Sequence, residues 1–250
     1  MNRSGIRAKA MVFAAGLGTR LRPYTNDRPK ALVEVGGMSL LEIQLRRLMR
    51  FGVEEVVVNV HHFAELVEAE LDSLRHLGME IKVSDERGML LETGGGLKKA
   101  GALLGRDKPI LIANVDVLTD LNLRDMESRL EESGALAVMA VRQRETSRYL
   151  VWGKDLRLKG WMNKKTGETR GNVEAEDLQL AFSGVHMIRP EFLDLIRQEG
   201  KFSIIDTYLD LAQSQLILGH RHDEDLWMDV GKPDQLEEAN RSQIEKKLLF

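Results

Sequence analysis

With 250 residues, 43% hydrophobic and 30% charged, the chain reads as an ordinary soluble globular protein, long enough for one large α/β domain. Its net charge of -3 argues against broad electrostatic attraction to nucleic acid or an anionic membrane, so any phosphate recognition must be local. The absence of cysteine excludes disulfides, thiolate metal sites and a cysteine nucleophile, and fits a reducing cytoplasm.

Met1 to Lys9 is polar and basic, and the apolar run after it falls far short of the roughly 18 residues a membrane span needs. No signal peptide or membrane partner is therefore expected, and the localisation expected is cytoplasmic. Met11 to Ala15 reads as a first buried strand that empties into Gly16-Leu17-Gly18, followed by Thr19 and Arg20. Glycines there let the backbone approach a ligand closely. Arg22 and Lys30 stand beyond the turn, with Pro23 and Pro29 stiffening it, so N–H groups and cations converge on a polyanion, best read as nucleotide phosphates. A Rossmann dinucleotide turn fails because its third glycine position is Leu21 and prolines follow; a Walker A loop is absent. The stretch resembles instead the G-x-G-T-R-x-x-P-x-T…P-K loop of the sugar-nucleotide pyrophosphorylases, which join a sugar 1-phosphate to a nucleoside triphosphate. Gly16, Gly18, Thr19, Arg20, Pro23, Thr25, Pro29 and Lys30 carry the match.

Further along, Ser39 and Glu42 form a capping box for a helix ending near Gly52. Val53 to Val60 is a continuous β-branched run, expected as a central parallel strand. A helix from about Phe63 to His76 and a strand from Met79 to Val83 complete a β-α-β-α-β pattern, which implies a parallel sheet with right-handed crossovers. Leu91-Glu92-Thr93-Gly94-Gly95-Gly96 reads as a loop ahead of a helix from Leu97 to Leu104, its glycines suited to a flat ligand lying on the backbone. The stretch resembles the family's base- and ribose-holding L-x-T-x-G element. Its Leu-Glu-Thr-Gly-Gly-Gly form is similar to N-acetylmuramate 1-phosphate uridylyltransferases, with close variants in mannose 1-phosphate and heptose 1-phosphate guanylyltransferases, so UTP and GTP both remain open.

Pro109 to Val115 is another buried strand, delivering Asn114 and Asp116 to its carboxyl end, where α/β ligand sites lie. Asp116 there suits Mg²⁺ or the cap of the next helix; the resemblance points to the metal, with Val115 departing from the family's small middle residue. A helix from Leu123 to Glu132 and a strand from Ala135 to Arg142 close the nucleotide-binding part, residues 8–142. Residues 143–188 are expected to form a small antiparallel sugar-side lobe, from short alternating runs around Tyr149, Trp152 and Trp161. The Glu-Lys-Pro of many relatives, whose lysine holds the sugar phosphate, is missing; Arg148, Lys164 and Lys165 are substitutes to weigh against plain surface charge. Gln179 to Ile188 resembles the family's sugar-contacting strand, and a helix is expected over Glu191 to Gln198 and another over Ile205 to Ser214. Leu226 to Gly231 resembles the W-x-D-x-G element whose carboxylate, here Asp229, is the second metal ligand. An amphipathic helix from Asp234 to Leu248 ends the chain, leaving no room for a β-helix domain.

The histidines His61, His62, His220 and His222 lack convergent metal spacing and are read as surface residues, and no G-x-S-x-G elbow supports a serine hydrolase. The resemblance thus implies a Rossmann-like, mostly parallel sheet flanked by helices over residues 1–250 as a single domain. It implies Mg²⁺-dependent nucleotidyl transfer from UTP or GTP to a sugar 1-phosphate. Arg20 and Lys30 would be catalytic, and Ala14, Ala15, Gly16, Gly18, Thr19, Glu86, Thr93 and Gly94 would bind nucleotide. Asn114, Ser183 and Gly184 would contact the sugar, and Asp116 and Asp229 the metal. A non-catalytic sugar-nucleotide-binding homologue is the alternative, and the oligomeric state is left open.

Overall fold

A computed structural model describes residues 5–249, so the first four residues of the polar amino-terminal stretch, and Phe250, lie outside the described residues. Strand β1 (Lys9–Phe13) is followed by the glycine loop and a tight hairpin of β2 (Glu34–Val35) and β3 (Met38–Ser39). Then come α1 (Leu40–Arg50), β4 (Glu55–Val60), α2 (Ala64–Ser73), β5 (Glu80–Asp85), α3 (Glu92–Leu104) and β6 (Ile110–Asn114). Strand β7 (Val117–Thr119), α4 (Leu123–Ser133) and β8 (Ala137–Arg142) follow. The lobe consists of β9 (Arg148–Trp152), β10 (Leu158–Asn163) and β11 (Thr169–Gly171). The long β12 (Leu178–Ile188) returns to the main sheet, and α5 (Ile204–Leu211), β13 (Ile217–Arg221), β14 (Trp227–Asp229), α6 (Pro233–Ser242) and α7 (Ile244–Leu249) finish the chain.

The main sheet runs β5-β4-β1-β6-β12-β8-β13, with β12 antiparallel to both neighbours and every other pairing parallel. Alternation along β1 sends Ala10 and Val12 into one apolar layer and Met11 into the other, so helices must cover both faces. Helices α1, α2, α4, α6 and α7 cover the first face, and α3 and α5 the second. The expected parallel sheet and small antiparallel sheet are both present. Strand β12 belongs to both: Leu178–Leu180 pair with β9, while Val185–Ile188 pair with β6. Strands β7 and β14 form a separate two-stranded ribbon that sets Asp229 opposite Val117.

Several expectations are corrected. Strand β1 stops at Phe13, because the amides of Ala14 and Ala15 donate to the Asn59 side chain, at 2.7 and 3.3 Å, instead of to a neighbouring strand. The three glycines lie inside α3, not ahead of it. Pro190–Leu195 forms a 3₁₀ helix, shorter than the expected helix, and the terminal helix breaks at Gln243, which adopts φ 51°. After the helix over Ile205 to Ser214 one last strand was expected, without bounds, and two are present, β13 and β14. In β13, Gly219 lies where an added Cβ would sit 3.2 Å from Val141 and 3.3 Å from the Trp152 ring, a close fit that a side chain would tighten.

Candidate active site

The glycine loop leaves the carboxyl end of β1. Around Gly16 no protein atom lies within 4 Å of where a Cβ would stand, so its backbone faces open space. Gly18 has a different role: its φ of +64° is left-handed, and a Cβ there would lie 3.0 Å from Thr25 and 3.1 Å from Lys30. The Thr25 hydroxyl donates to the Gly18 carbonyl at 2.9 Å and ties the loop over the lysine. Thr19 and Arg20 open the following 3₁₀ turn and are exposed.

Beneath the loop, Lys30 is buried and its ammonium contacts the Asp116 carboxylate directly. Asp116 lies between β6 and β7 and caps no helix; the cap of α4 is Asn122. The Val230 amide donates to the Asp116 carbonyl at 2.9 Å, bringing the end of β14 alongside. Asp229 arrives there from the far end of the sequence. Burial and the adjacent Asp116 charge push its carboxyl above the ordinary aspartate range, against the pull of Lys30, Arg20 and Arg144. A Cβ at Gly231 would lie 2.8 Å from Asp229 Oδ1 and 3.3 Å from Arg20, so the ends of both side chains converge on this glycine and would have to move aside for any larger residue. Asp229 Oδ1 itself is buried with no hydrogen-bond partner.

A cavity of about 370 Å³ opens beside these groups, walled by Ala14, Ala15, Gly16, Lys30, Asn114 and Asp116 on one side and Leu90, Glu92 and Thr93 on the other. Glu86 borders it but is fully buried: Asn59 donates to one carboxylate oxygen at 2.8 Å and the Leu91 amide to the other at 3.1 Å. Its role is to brace the loop through Asn59, a residue missed by sequence reading because it is a single polar residue in the run Val56-Val57-Val58-Asn59-Val60. Gly94 is corrected too. An added Cβ would lie 2.3 Å from the Phe202 ring, so this glycine faces protein; Thr93 is on the cavity wall, with its hydroxyl accepting from the Ile204 amide at 3.0 Å.

On the lobe side, Gly184 has φ +78° and fits against Asn114, whose Nδ2 would lie 2.9 Å from an added Cβ. Ser183 does not face a ligand. Its hydroxyl is buried and shares a 2.7 Å hydrogen bond with His222, and its carbonyl accepts from the Trp227 indole at 2.9 Å. His222, expected at the surface, is buried, with Asp225 3.4 Å from its other ring nitrogen. Serine, histidine and aspartate do line up, but Ser183 is 1% exposed, so the trio braces β14 and offers nothing to a substrate. Arg148 borders a second cavity, Lys164 lies 4.5 Å over the Tyr149 ring, and Lys165 is exposed. The cation of the lobe that acts on Asp229 is a different one, Arg144, stacked 4.6 Å over Trp227. It was missed because nothing in the sequence sets it apart from Arg142, Glu145 and Arg148 beside it.

A glycine loop and Asp116 at the carboxyl ends of the parallel strands β1 and β6, joined by a buried lysine and by Asp229 from the β7–β14 ribbon, make an arrangement suited to phosphates on an α/β sheet. The chain belongs to the nucleotidyl transferase family, whose model matches residues 9–246. It is 40% identical over 243 residues to an N-acetylmuramate alpha-1-phosphate uridylyltransferase of Caulobacter vibrioides, covering 90% of this chain and 92% of that protein. A protein of the same description from Neisseria meningitidis serogroup B is 33% identical over 234 residues, with 92% and 96% covered. Among solved structures, a UDP-glucose pyrophosphorylase complexed with UDP-glucose superposes with a TM-score of 0.78 at 18% identity, over 96% of this chain and all of that one (100%), a likeness of fold.

Proposed function

We propose that this chain transfers a nucleotidyl group from UTP or GTP to a sugar 1-phosphate, releasing pyrophosphate, in the manner of N-acetylmuramate 1-phosphate uridylyltransferases or mannose 1-phosphate guanylyltransferases. The observation that carries the reading is the convergence of Arg20, Lys30, Asp116 and Asp229 beside a glycine loop with an open backbone. The relatives' names support the same reaction class and give no support to the binding-only alternative.

The attacking group, a phosphate oxygen of the sugar 1-phosphate, is already an anion, so no general base is needed. The oxygen displaces pyrophosphate at the α-phosphorus of the nucleotide, forming one P–O bond and breaking another. The barrier comes from bringing two polyanions together and from charge on the leaving group, so catalysis is positioning plus electrostatics. Amides of the Gly16–Thr19 turn hold the triphosphate, Arg20 meets the departing pyrophosphate, and Lys30 neutralises the phosphates between which the bond is exchanged. Thr93 borders the base, and Asn114 and Gly184 the sugar.

The unpartnered, buried Asp229 oxygen beside Asp116 fits a hard cation, and these two carboxylates would hold Mg²⁺ together with phosphate oxygens and water. When bound the metal supplies charge neutralisation at the α-phosphate. No described helix is long and apolar enough to cross a membrane, and use of a nucleoside triphosphate supports a cytoplasmic location. The test is pyrophosphate release with each nucleoside triphosphate against a panel of sugar 1-phosphates headed by N-acetylmuramate and mannose 1-phosphates. Nucleotide binding without release under any pairing overturns the reading.

A further inference from the structure

Beyond the reacting groups, a second cavity of about 400 Å³ opens in the lobe, bordered by Arg144, Arg148 and Arg170 and by the rings of Tyr149, Trp161 and Phe182. Its size suits a substituted hexose. Arg144 stands at the side nearest the acids. Its guanidinium stacks on Trp227, two residues before Asp229, donates from Nη2 to the Phe182 carbonyl at 3.2 Å, and leaves Nε without a partner. Arg170 is paired with Asp206 at 2.7 Å. Arg148 has no carboxylate within 4.0 Å among the described residues. One acid on the wall therefore answers three guanidinium groups. The phosphate of a sugar 1-phosphate accounts for Arg144, since it must lie near Asp229. Arg148 is left facing the body of the sugar, where a neutral hexose offers only hydroxyl groups.

We propose that this cavity contains a carboxylate subsite: the acceptor is a sugar 1-phosphate that also carries a carboxylic acid, held by Arg148 with Arg170, while Arg144 faces the phosphate. The proposal rests on the nucleotidyl-transfer reading and adds the substrate class. Guanidinium groups bind carboxylates through two parallel N–H···O bonds, which lysine cannot reproduce. Apolar ring faces beside them suit the C–H face of the sugar. N-acetylmuramate 1-phosphate, with its lactyl acid, is a sugar of this class, and mannose 1-phosphate is not.

The test measures kcat/KM for pyrophosphate release with N-acetylmuramate 1-phosphate and with N-acetylglucosamine 1-phosphate, which lacks only the lactyl acid, alongside mannose 1-phosphate. The expected preference for the acidic sugar is roughly 10- to 100-fold, the value of a charged hydrogen-bonded pair. In Arg148→Leu and Arg170→Leu that ratio falls roughly tenfold, and Arg148→Lys recovers part of it. A ratio taken within one preparation does not depend on the folded fraction. Equal use of the acidic and neutral sugars, or variants that lower both alike, overturns the subsite and leaves the transferase reading standing. Failure to turn over any sugar 1-phosphate overturns the transferase reading, and the subsite with it.

Discussion

Asp229 is ionised at neutral pH only at a cost, because burial and the Asp116 charge both favour its neutral form. The folded-state pKa lies above the unfolded value, so the stability this group contributes is present at low pH and is lost as pH rises through the folded pKa. Asp229→Asn removes that cost. It should raise the Tm of the ligand-free protein at pH 7.5 while lowering kcat on the order of 10²- to 10³-fold, as expected for deletion of one charge-stabilising group. Calorimetry and steady-state rates check the two halves, and an unchanged kcat contradicts the assignment. The buried histidines have the opposite sign. Burial lowers His186 to about 3, and burial followed by the nearby Arg142 charge lowers His222 to about 4, so unfolding takes up protons at both. Their contribution is complete above the unfolded value of 6.5 and is lost as pH falls through the folded values. Urea midpoints should therefore drop between pH 7 and pH 5, and an unchanged midpoint counts against neutral burial of these rings.

Helix α3 shows how packing outranks propensity. Alanine is the better helix former by about 1 kcal/mol, so replacing a helical glycine should on local grounds stabilise. At Gly95, however, an added Cβ would lie 2.2 Å from the Gly200 carbonyl oxygen, a backbone atom that cannot swing aside. Gly95→Ala should destabilise by about 1–3 kcal/mol, the scale of overpacking, read as a lower denaturant midpoint. A neutral or stabilising result would mean that the segment around Gly200 yields. The same clash explains why the glycines were misread as a loop: a propensity argument sees what a glycine costs a helix but not a neighbour distant in sequence. Strands β4 and β6 were legible because they are apolar runs buried along nearly their whole length, whereas β13, ending on Gly219, a half-buried His220 and an exposed Arg221, carries no such signal. Arg20, Lys30, Asp116 and Asp229 could be proposed for the site because the motifs that carry them are local. Asn59 and Arg144 could not, since only the fold places one beside the Ala14 amide and the other over Trp227.

For the whole molecule, a site assembled from loop, sheet and ribbon should tighten when its polyanion arrives. UTP with Mg²⁺ at 100 times its Kd should stabilise the folded chain by about 2.7 kcal/mol, simply by binding the native state alone. Lys30→Met should shrink that shift, and a shift equal to that of the unaltered protein would place the nucleotide elsewhere. The ribbon of β7 and β14 has one more consequence. It brings Asp116 beside a residue made after every strand of the main sheet, including the one that carries the glycine loop. During synthesis, an emerging chain can complete its nucleotide cavity well before Asp229 leaves the ribosome, and domains fold as their residues become available. With Asp229 in the proposed metal-holding role, a chain cut before β14 keeps the glycine loop and Asp116 and should consume no triphosphate, which an assay of pyrophosphate release from such a truncation checks.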